Sequence, residues 1–252
     1  MKRNLIIIFI SVLVICYFYK SIKMREMPLI SVIIPTYNRY ENLHQSIRSV
    51  LDGTYKNIEI IVVNDKSTDI RYYDGSLEKY SSSNVKVIHL DENMRQKYQT
   101  TSAQGATRQI GVEIAKGEYI AFLDDDDFYL PNKLEIQLKE MMKNNKLFST
   151  TNMLKVKHKS IDKDKLDIDI ISPYHTQVLP SVFTFELINQ TNYINTSTTL
   201  IHRSLIEKAG KMEPIKYEDW VYWLKILKHS DCLYIPEPLV YYTVNNDKNY
   251  VI

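Results

Sequence analysis

Cysteine is scarce, with 2 in 252 residues, Cys16 in an apolar run near the start and Cys232 far downstream. That argues against a disulfide framework and against a cysteine-based zinc site. Only 6 glycines and 8 prolines occur, so collagen-like and Gly/Ser low-complexity chains are excluded. Charge of one sign is not in excess either. Lys and Arg total 32 against 30 for Asp and Glu, a formal net charge of +2, too balanced for a polyanion-coating surface, and no nucleic-acid partner is expected. His44, His89, His158, His175 and His229 show no pairing at metal-ligand spacing, and His202, following an apolar strand, reads as structural. What the chain does have is 44% hydrophobic and 25% charged residues, enough to bury a core and too much for wholesale disorder. At this length the expectation is one α/β domain, or one domain with an appendage.

The appendage is N-terminal. Residues 5–19 read LIIIFISVLVICYFY, with Lys2 and Arg3 before them and Lys20, Lys23 and Arg25 after. As a helix this run is about 22 Å long, or about 27 Å if extended to Ile22, just short of a ~30 Å hydrocarbon core. No small-residue cleavage site follows it, and Ile15 before Cys16 makes a poor lipoprotein signal. Residues 1–26 therefore read as an uncleaved membrane anchor with a basic flank. Basic residues on both sides do not choose its orientation. Met27-Pro28 would itself open a complete soluble domain.

From Leu29 onward the pattern changes. LISVIIP (29–35), IEIIVVND (58–65), VKVIHL (85–90) and EYIAFLD (118–124) have the length and β-branched content of buried strands. Between them, residues 42–51, a stretch near Tyr72 to Tyr80, and residues 106–117 carry apolar side chains at helical spacing. Such alternation predicts right-handed βαβ crossovers, a mostly parallel sheet flanked by helices, and ligands gathered at the carboxyl ends of the strands. Further on, residues 131–144 read as an amphipathic helix with Pro131 in its first turn, and the polar segment 155–179 as a loop or exposed hairpin. A helix near 218–229 and strands around 198–202 and 239–243 complete the expectation.

Three strand ends are polar: Pro35-Thr36-Tyr37-Asn38-Arg39, Asn64-Asp65-Lys66-Ser67-Thr68-Asp69, and Asp124-Asp125-Asp126-Asp127. Adjacent carboxylates repel one another by roughly 4 kcal/mol per close pair at an effective dielectric of about 20, so a cation is expected to offset them. Mg²⁺ and Mn²⁺ take oxygen ligands, and two carboxylates leave room for substrate phosphates to complete the shell. The implied partner is a nucleoside diphosphate. An acidic run can also be a solvated loop or a helix start, and Asp127 is a candidate N-cap for the helix after Pro131. An EF-hand would place Asp124, Asp126 and Glu135 at positions 1, 3 and 12, but Phe128 and Tyr129 then fill position 5 and the obligatory glycine, which rejects it.

With these strand ends in view, the chain resembles the family 2 glycosyltransferases of GT-A fold, which transfer sugars from nucleotide-sugar donors with inversion. The likeness runs from about Leu29 to Asn245. It rests on SVIIPTYNR, IIVVNDKSTD, ATRQIGVEIAKGEYIAFLDDDD with PNKLE after it, TLIHRSLIEKAG, YEDWVYWLKI and IPEPLVYY, in order. The resemblance implies a GT-A domain over residues 27–252, with a nucleotide-binding half (27–127) and an acceptor-binding half (128–252). It implies that Pro35, Tyr37 and Asp65 hold the base, Asp65 by accepting the N3–H of uracil. The DXD element falls on Asp124 to Asp126, placing the ribose contact at Asp125 and the ligand for Mn²⁺ or Mg²⁺ at Asp126. Arg108 is a candidate for phosphate, with a surface or helix-stabilising arginine an equal alternative, and Asp219 for the base that deprotonates the acceptor hydroxyl, with Glu218 the less critical neighbour. The acceptor would be a glycan, lipid-linked or protein hydroxyl. Three departures stand out: Asn64-Asp65 replaces a pair of aspartates, Thr107-Arg108-Gln109 replaces an Ala-Arg-Asn stretch, and Thr243-Val244-Asn245 stands where an Arg and a His are common.

Two rival readings are a nucleotidyltransferase, which would want a glycine-rich basic loop where PTYNRYENL has no glycine, and an inactive binding protein of the same fold, against which the presence of Asp126 and Asp219 argues. Tyr222 and Trp223 read as packing residues rather than an acceptor platform.

Overall fold

A computed structural model describes residues 27–162 and 165–244. The expected anchor lies outside the described residues, among which no helix is long and apolar enough to cross a membrane.

The chain runs β1 (Ile30–Thr36), α1 (Tyr40–Leu51), β2 (Ile58–Asn64), β3 (Val85–His89), α2 (Met94–Lys97), α3 (Gln104–Ile114) and β4 (Tyr119–Phe122). It continues through β5 (Phe128–Tyr129), α4 (Lys133–Lys143), β6 (Phe148–Asp162), β7 (Lys165–Pro173), β8 (Val182–Phe183), α5 (Phe185–Gln190), β9 (Leu200–His202), α6 (Arg203–Ala209), α7 (Glu218–Leu227) and β10 (Cys232–Thr243). The sheet order is β3-β2-β1-β4-β9-β6-β10-β5, with β7 added to β6 and β8 to β10. The parallel block expected from the sequence is β3-β2-β1-β4, and β6 with β10 adds a further parallel pairing. β9 enters antiparallel to β4 and β6, and the long β6–β7 hairpin occupies the polar 155–179 segment.

Period-two alternation sorts the strands onto two cores. Ile30, Val32 and Ile34 share one core with Ile60, Val62, Leu43 and Ile47 of α1, and Leu134, Leu138 and Met141 of α4. Ile33, Ile61, Val63, Ile120 and Phe122 share the other with Val112 of α3 and Tyr222, Trp223 and Ile226 of α7. Tyr222 and Trp223 are thus packing residues. Helix α3 lies so close to the sheet that a Cβ on Gly111 would fall 2.5 Å from Ile33 Cγ2, and a Cβ on Gly117 would fall 2.5 Å from the Ser31 nitrogen. Glycine at both positions lets the crossover into β4 close.

Two local expectations are corrected and a third is made specific. Around residues 72–80 the chain forms two 3₁₀ turns, Ile70–Tyr72 and Glu78–Ser83, instead of an α-helix. Gly75, at φ +86°, lies between them and turns the chain where a helix would need to continue. Asp127 does not cap the helix after Pro131. The N-cap of α4 is Asn132, and Asp127 bonds elsewhere. His202, read as structural, is the N-cap of α6 and accepts the Ser204 N–H.

Candidate functional site

The register of the parallel block aligns the three polar strand ends. Thr36 pairs with Asn64, the Asp65 N–H donates to the Thr36 carbonyl at 2.9 Å, and the Leu123 N–H donates to the Ile33 carbonyl at 3.0 Å. Pro35, Tyr37, Asp65 and the acidic run therefore share one end of the sheet, at the carboxyl ends of parallel strands.

The first two strand ends are tied together. Asn38 adopts φ +53°, a conformation asparagine tolerates, and its Oδ1 accepts the Thr68 N–H at 2.8 Å and the Asp69 N–H at 3.3 Å. Tyr72 OH accepts the Arg39 N–H at 3.1 Å and shares a hydrogen bond with Thr36 Oγ1. Tyr37 is left 46% exposed, its ring open to a ligand. Asp65 is 8% exposed, with Oδ1 accepting the Met94 N–H at 2.7 Å and its carbonyl accepting Asn93 Nδ2 at 2.8 Å. Burial pushes the Asp65 carboxyl up, with the Met94 N–H acting against that rise.

The four aspartates of the third strand end face different partners. Asp127 is buried, with Oδ2 accepting Ser197 Oγ–H at 2.6 Å and Oδ1 accepting the Thr243 N–H at 3.2 Å. Asp124 Oδ1 accepts from Arg108 Nη2 at 2.5 Å. Asp125 and Asp126 converge on a single guanidinium nitrogen, Arg39 Nη1, at 2.9 and 3.0 Å. From α1, Ser46 Oγ reaches the carbonyls of Asp125 and Asp127 at 3.0 and 2.8 Å and holds the loop down. Burial, followed by the neighbouring Asp125 charge, raises the Asp126 carboxyl to about 7, and burial also pushes up Asp125 and Asp127.

Arg108, on α3, is buried rather than on the surface and reaches across the site. It pairs with Asp124 on one side and, through Nη1 at 3.2 Å, with Glu218 Oε1 at the start of α7 on the other. Ser102 Oγ–H donates to the second Glu218 oxygen at 3.0 Å. Burial opposes the Arg108 charge, but Asp124 and Glu218 outweigh it and hold the guanidinium above its ordinary range. Glu218 is thereby fixed, while Asp219 beside it stays partly exposed and burial raises its carboxyl above the usual value.

A divalent ion fits the Asp125–Asp126 pair on two observations. The two carboxylates already converge on one cation, and Asp125 Oδ2 is buried without a partner. Among the described residues no three His, Cys, Asp or Glu side chains are grouped to cage a metal.

The sequence reading missed Arg39 as the counter-charge, Ser46 and Ser197 as anchors of the acidic loop, and Thr243. The Thr243 hydroxyl donates to the Asp126 carbonyl and lies 3.3 Å from His158 Nε2. The only sequence signal for any of these was Arg39 closing a polar strand end. The aromatic exposed near Asp219 is Tyr217, which starts α7 in the left-handed region at φ +57°.

The glycosyl transferase family 2 model matches residues 31–209. An uncharacterized glycosyltransferase of Haemophilus influenzae is 33% identical over 208 residues, 81% of this chain and 73% of its own. A similar UDP-Glc:α-D-GlcNAc-diphosphoundecaprenol β-1,3-glucosyltransferase, WfgD of Escherichia coli, is 30% identical over 203 residues, covering 81% of this chain and 71% of its own. A Rickettsia bellii uncharacterized glycosyltransferase is 41% identical, but the match covers only 17% of its length. Among solved structures, S. aureus TarS 1–349 in complex with UDP-GlcNAc aligns with TM-score 0.66 at 20% identity, over 87% of this chain and 59% of that one. The GT-A fold, the glycine-free first loop and the match over most of the domain agree: the chain belongs to glycosyl transferase family 2.

Proposed function

We propose that this chain transfers a sugar from a UDP-sugar to a hydroxyl of a diphosphate-linked lipid acceptor, with inversion at the anomeric carbon, in polysaccharide assembly. The observation that carries the reading is Arg108, which joins Asp124 of the acidic strand end to Glu218 and so brings Asp219 to the same site. The UDP-GlcNAc complex of TarS supports the donor class, and the name of WfgD supports the acceptor class.

In this reading Tyr37 lies against the uracil ring, and the Asp65 oxygen left by Met94 accepts the uracil N3–H. Asp125 contacts the ribose. Asp126, with Asp125 beside it, would hold Mn²⁺ or Mg²⁺. When bound, that ion supplies positive charge against the departing diphosphate. Asp219 takes the acceptor proton, and its raised pKa makes it a stronger base than an ordinary aspartate. Arg108 holds Glu218 out of that role and neutralises charge beside it, leaving one carboxylate to act. Residues 27–127 serve the nucleotide, residues 128–252 serve the acceptor, and the apolar run at 5–22 anchors the chain to the membrane that carries the acceptor.

The test presents the full chain with UDP-glucose, UDP-galactose, UDP-GlcNAc and GDP-mannose, Mn²⁺, and an alkyl α-GlcNAc diphosphate. Release of UDP from one donor, stimulated by the acceptor and yielding a β-linked product by NMR, is expected. Release from no UDP-sugar, or a product with retained configuration, overturns the reading.

A further inference from the structure

We propose that Arg39 makes metal binding at Asp125–Asp126 conditional on the nucleotide. The proposal rests on the nucleotide-sugar reading above. One guanidinium nitrogen lies 2.9 Å from Asp125 Oδ1 and 3.0 Å from Asp126 Oδ2, so a cation of this chain already sits between the carboxylates that a divalent ion would use. The backbone of Arg39 is held, because its N–H donates to Tyr72 OH and the preceding Asn38 is tied to Thr68 and Asp69. Its side chain is 31% exposed, against 5% for Arg108.

A divalent ion arriving alone meets this positive charge at a few ångströms and competes with it for the same oxygens. A nucleoside diphosphate changes both terms. Its phosphate oxygens give the positive charge at position 39 an anionic partner in place of the carboxylates, and they supply the ligands that two carboxylates cannot. Nucleotide and metal thus bind cooperatively, and by linkage each tightens the other by the same factor. Glutamine at position 39 keeps a polar side chain but removes the charge on which the coupling depends.

The experiment measures free Mn²⁺ by electron paramagnetic resonance during titration of the full chain, with and without saturating UDP. In the parent, UDP is expected to tighten Mn²⁺ binding by ~10-fold or more, within the usual range of coupling between sites. In Arg39→Gln, Mn²⁺ alone binds ~10-fold more tightly than to the parent, a gain on the scale of one removed charge contact, and most of the UDP effect disappears. Arg39→Lys, which retains the charge, keeps the coupling. Thermal shift gives a second readout: Mn²⁺ alone raises the Tm of Arg39→Gln more than that of the parent. An Arg39→Gln protein whose Mn²⁺ affinity without UDP is unchanged or weaker overturns the proposal, as does an Arg39→Lys protein that behaves like Arg39→Gln. A parent that binds no Mn²⁺ even with UDP overturns the metal assignment, and the proposal with it, while leaving sugar transfer to be judged by UDP release.

Discussion

Arg39 and Arg108 each pair with two carboxylates of the same site, one arginine 31% exposed and the other 5%. Arg108 is buried between Asp124 and Glu218, elements 94 positions apart on α7 and the acidic run, with Ser102 completing the shell of Glu218. Arg39 pairs with the neighbours Asp125 and Asp126 where water reaches it. A buried charge pair is costly to break because the remaining charge cannot be resolvated, whereas a pair in contact with water can exchange partners. The same residue type thus serves as a fixed brace in one place and an adjustable counter-charge in the other.

The strongest way to break this comparison is Arg108→Met. It strands Glu218, whose side chain is 10% exposed, without its cation, while Asp124 at 31% exposure can be rehydrated; the expected loss is about 3–5 kcal/mol of unfolding free energy. Urea denaturation measures it, and a loss below about 1 kcal/mol would mean that Arg108 is no brace.

Glu218→Gln is milder, because an amide still occupies the position: its one oxygen can accept from Arg108 while its NH2 donates to Ser102 Oγ. It should cost about 1–3 kcal/mol of stability by the same measurement. A stability equal to the parent's would show that Arg108 depends on Asp124 alone.

The pH-dependent effect belongs to Asp126→Asn. Its folded-state pKa is raised, to about 7 from the ordinary 3.8, so the protonated form is favoured and its contribution to stability is present at low pH and lost as pH rises through that window. Without metal or nucleotide, Asp126→Asn should therefore match the parent near pH 4 and exceed its Tm at pH 8. A parent that is the more stable of the two at pH 8 contradicts the burial argument.

The brace and the counter-charge were not equally legible in the sequence. Near-continuous β-branched runs such as SVIIP and IEIIVVN announce buried parallel strands, and with them the strand ends where Tyr37, Asp65 and Asp126 stand. Those residues lie within a few positions of the pattern that reveals them. Arg108 sits on an amphipathic helix where surface and interior are equally compatible with the sequence; only the partner at Glu218, 110 positions away, makes it internal. Asp127 looks like a helix cap because Pro131 follows, yet its partners Ser197 and Thr243 come from 70 and 116 positions downstream. The second half is harder still. β10 runs beside β6 with two register shifts, and the β6–β7 hairpin is polar on its exposed side, so neither leaves a clean periodic signal.

The most direct test of the account is whether the fixed and the available carboxylate of α7 divide their roles as their surroundings imply. With UDP-sugar, Mn²⁺ and an alkyl α-GlcNAc diphosphate, kcat and UDP affinity are measured for the parent, Asp219→Asn and Glu218→Gln. General base help is typically worth 10² to 10⁴-fold, so Asp219→Asn should lose at least ~10²-fold in kcat while binding UDP as the parent does, and Glu218→Gln should lose less. An active Asp219→Asn beside an inactive Glu218→Gln would contradict the assignment, and full activity in both would reduce the start of α7 to a favourably charged helix end.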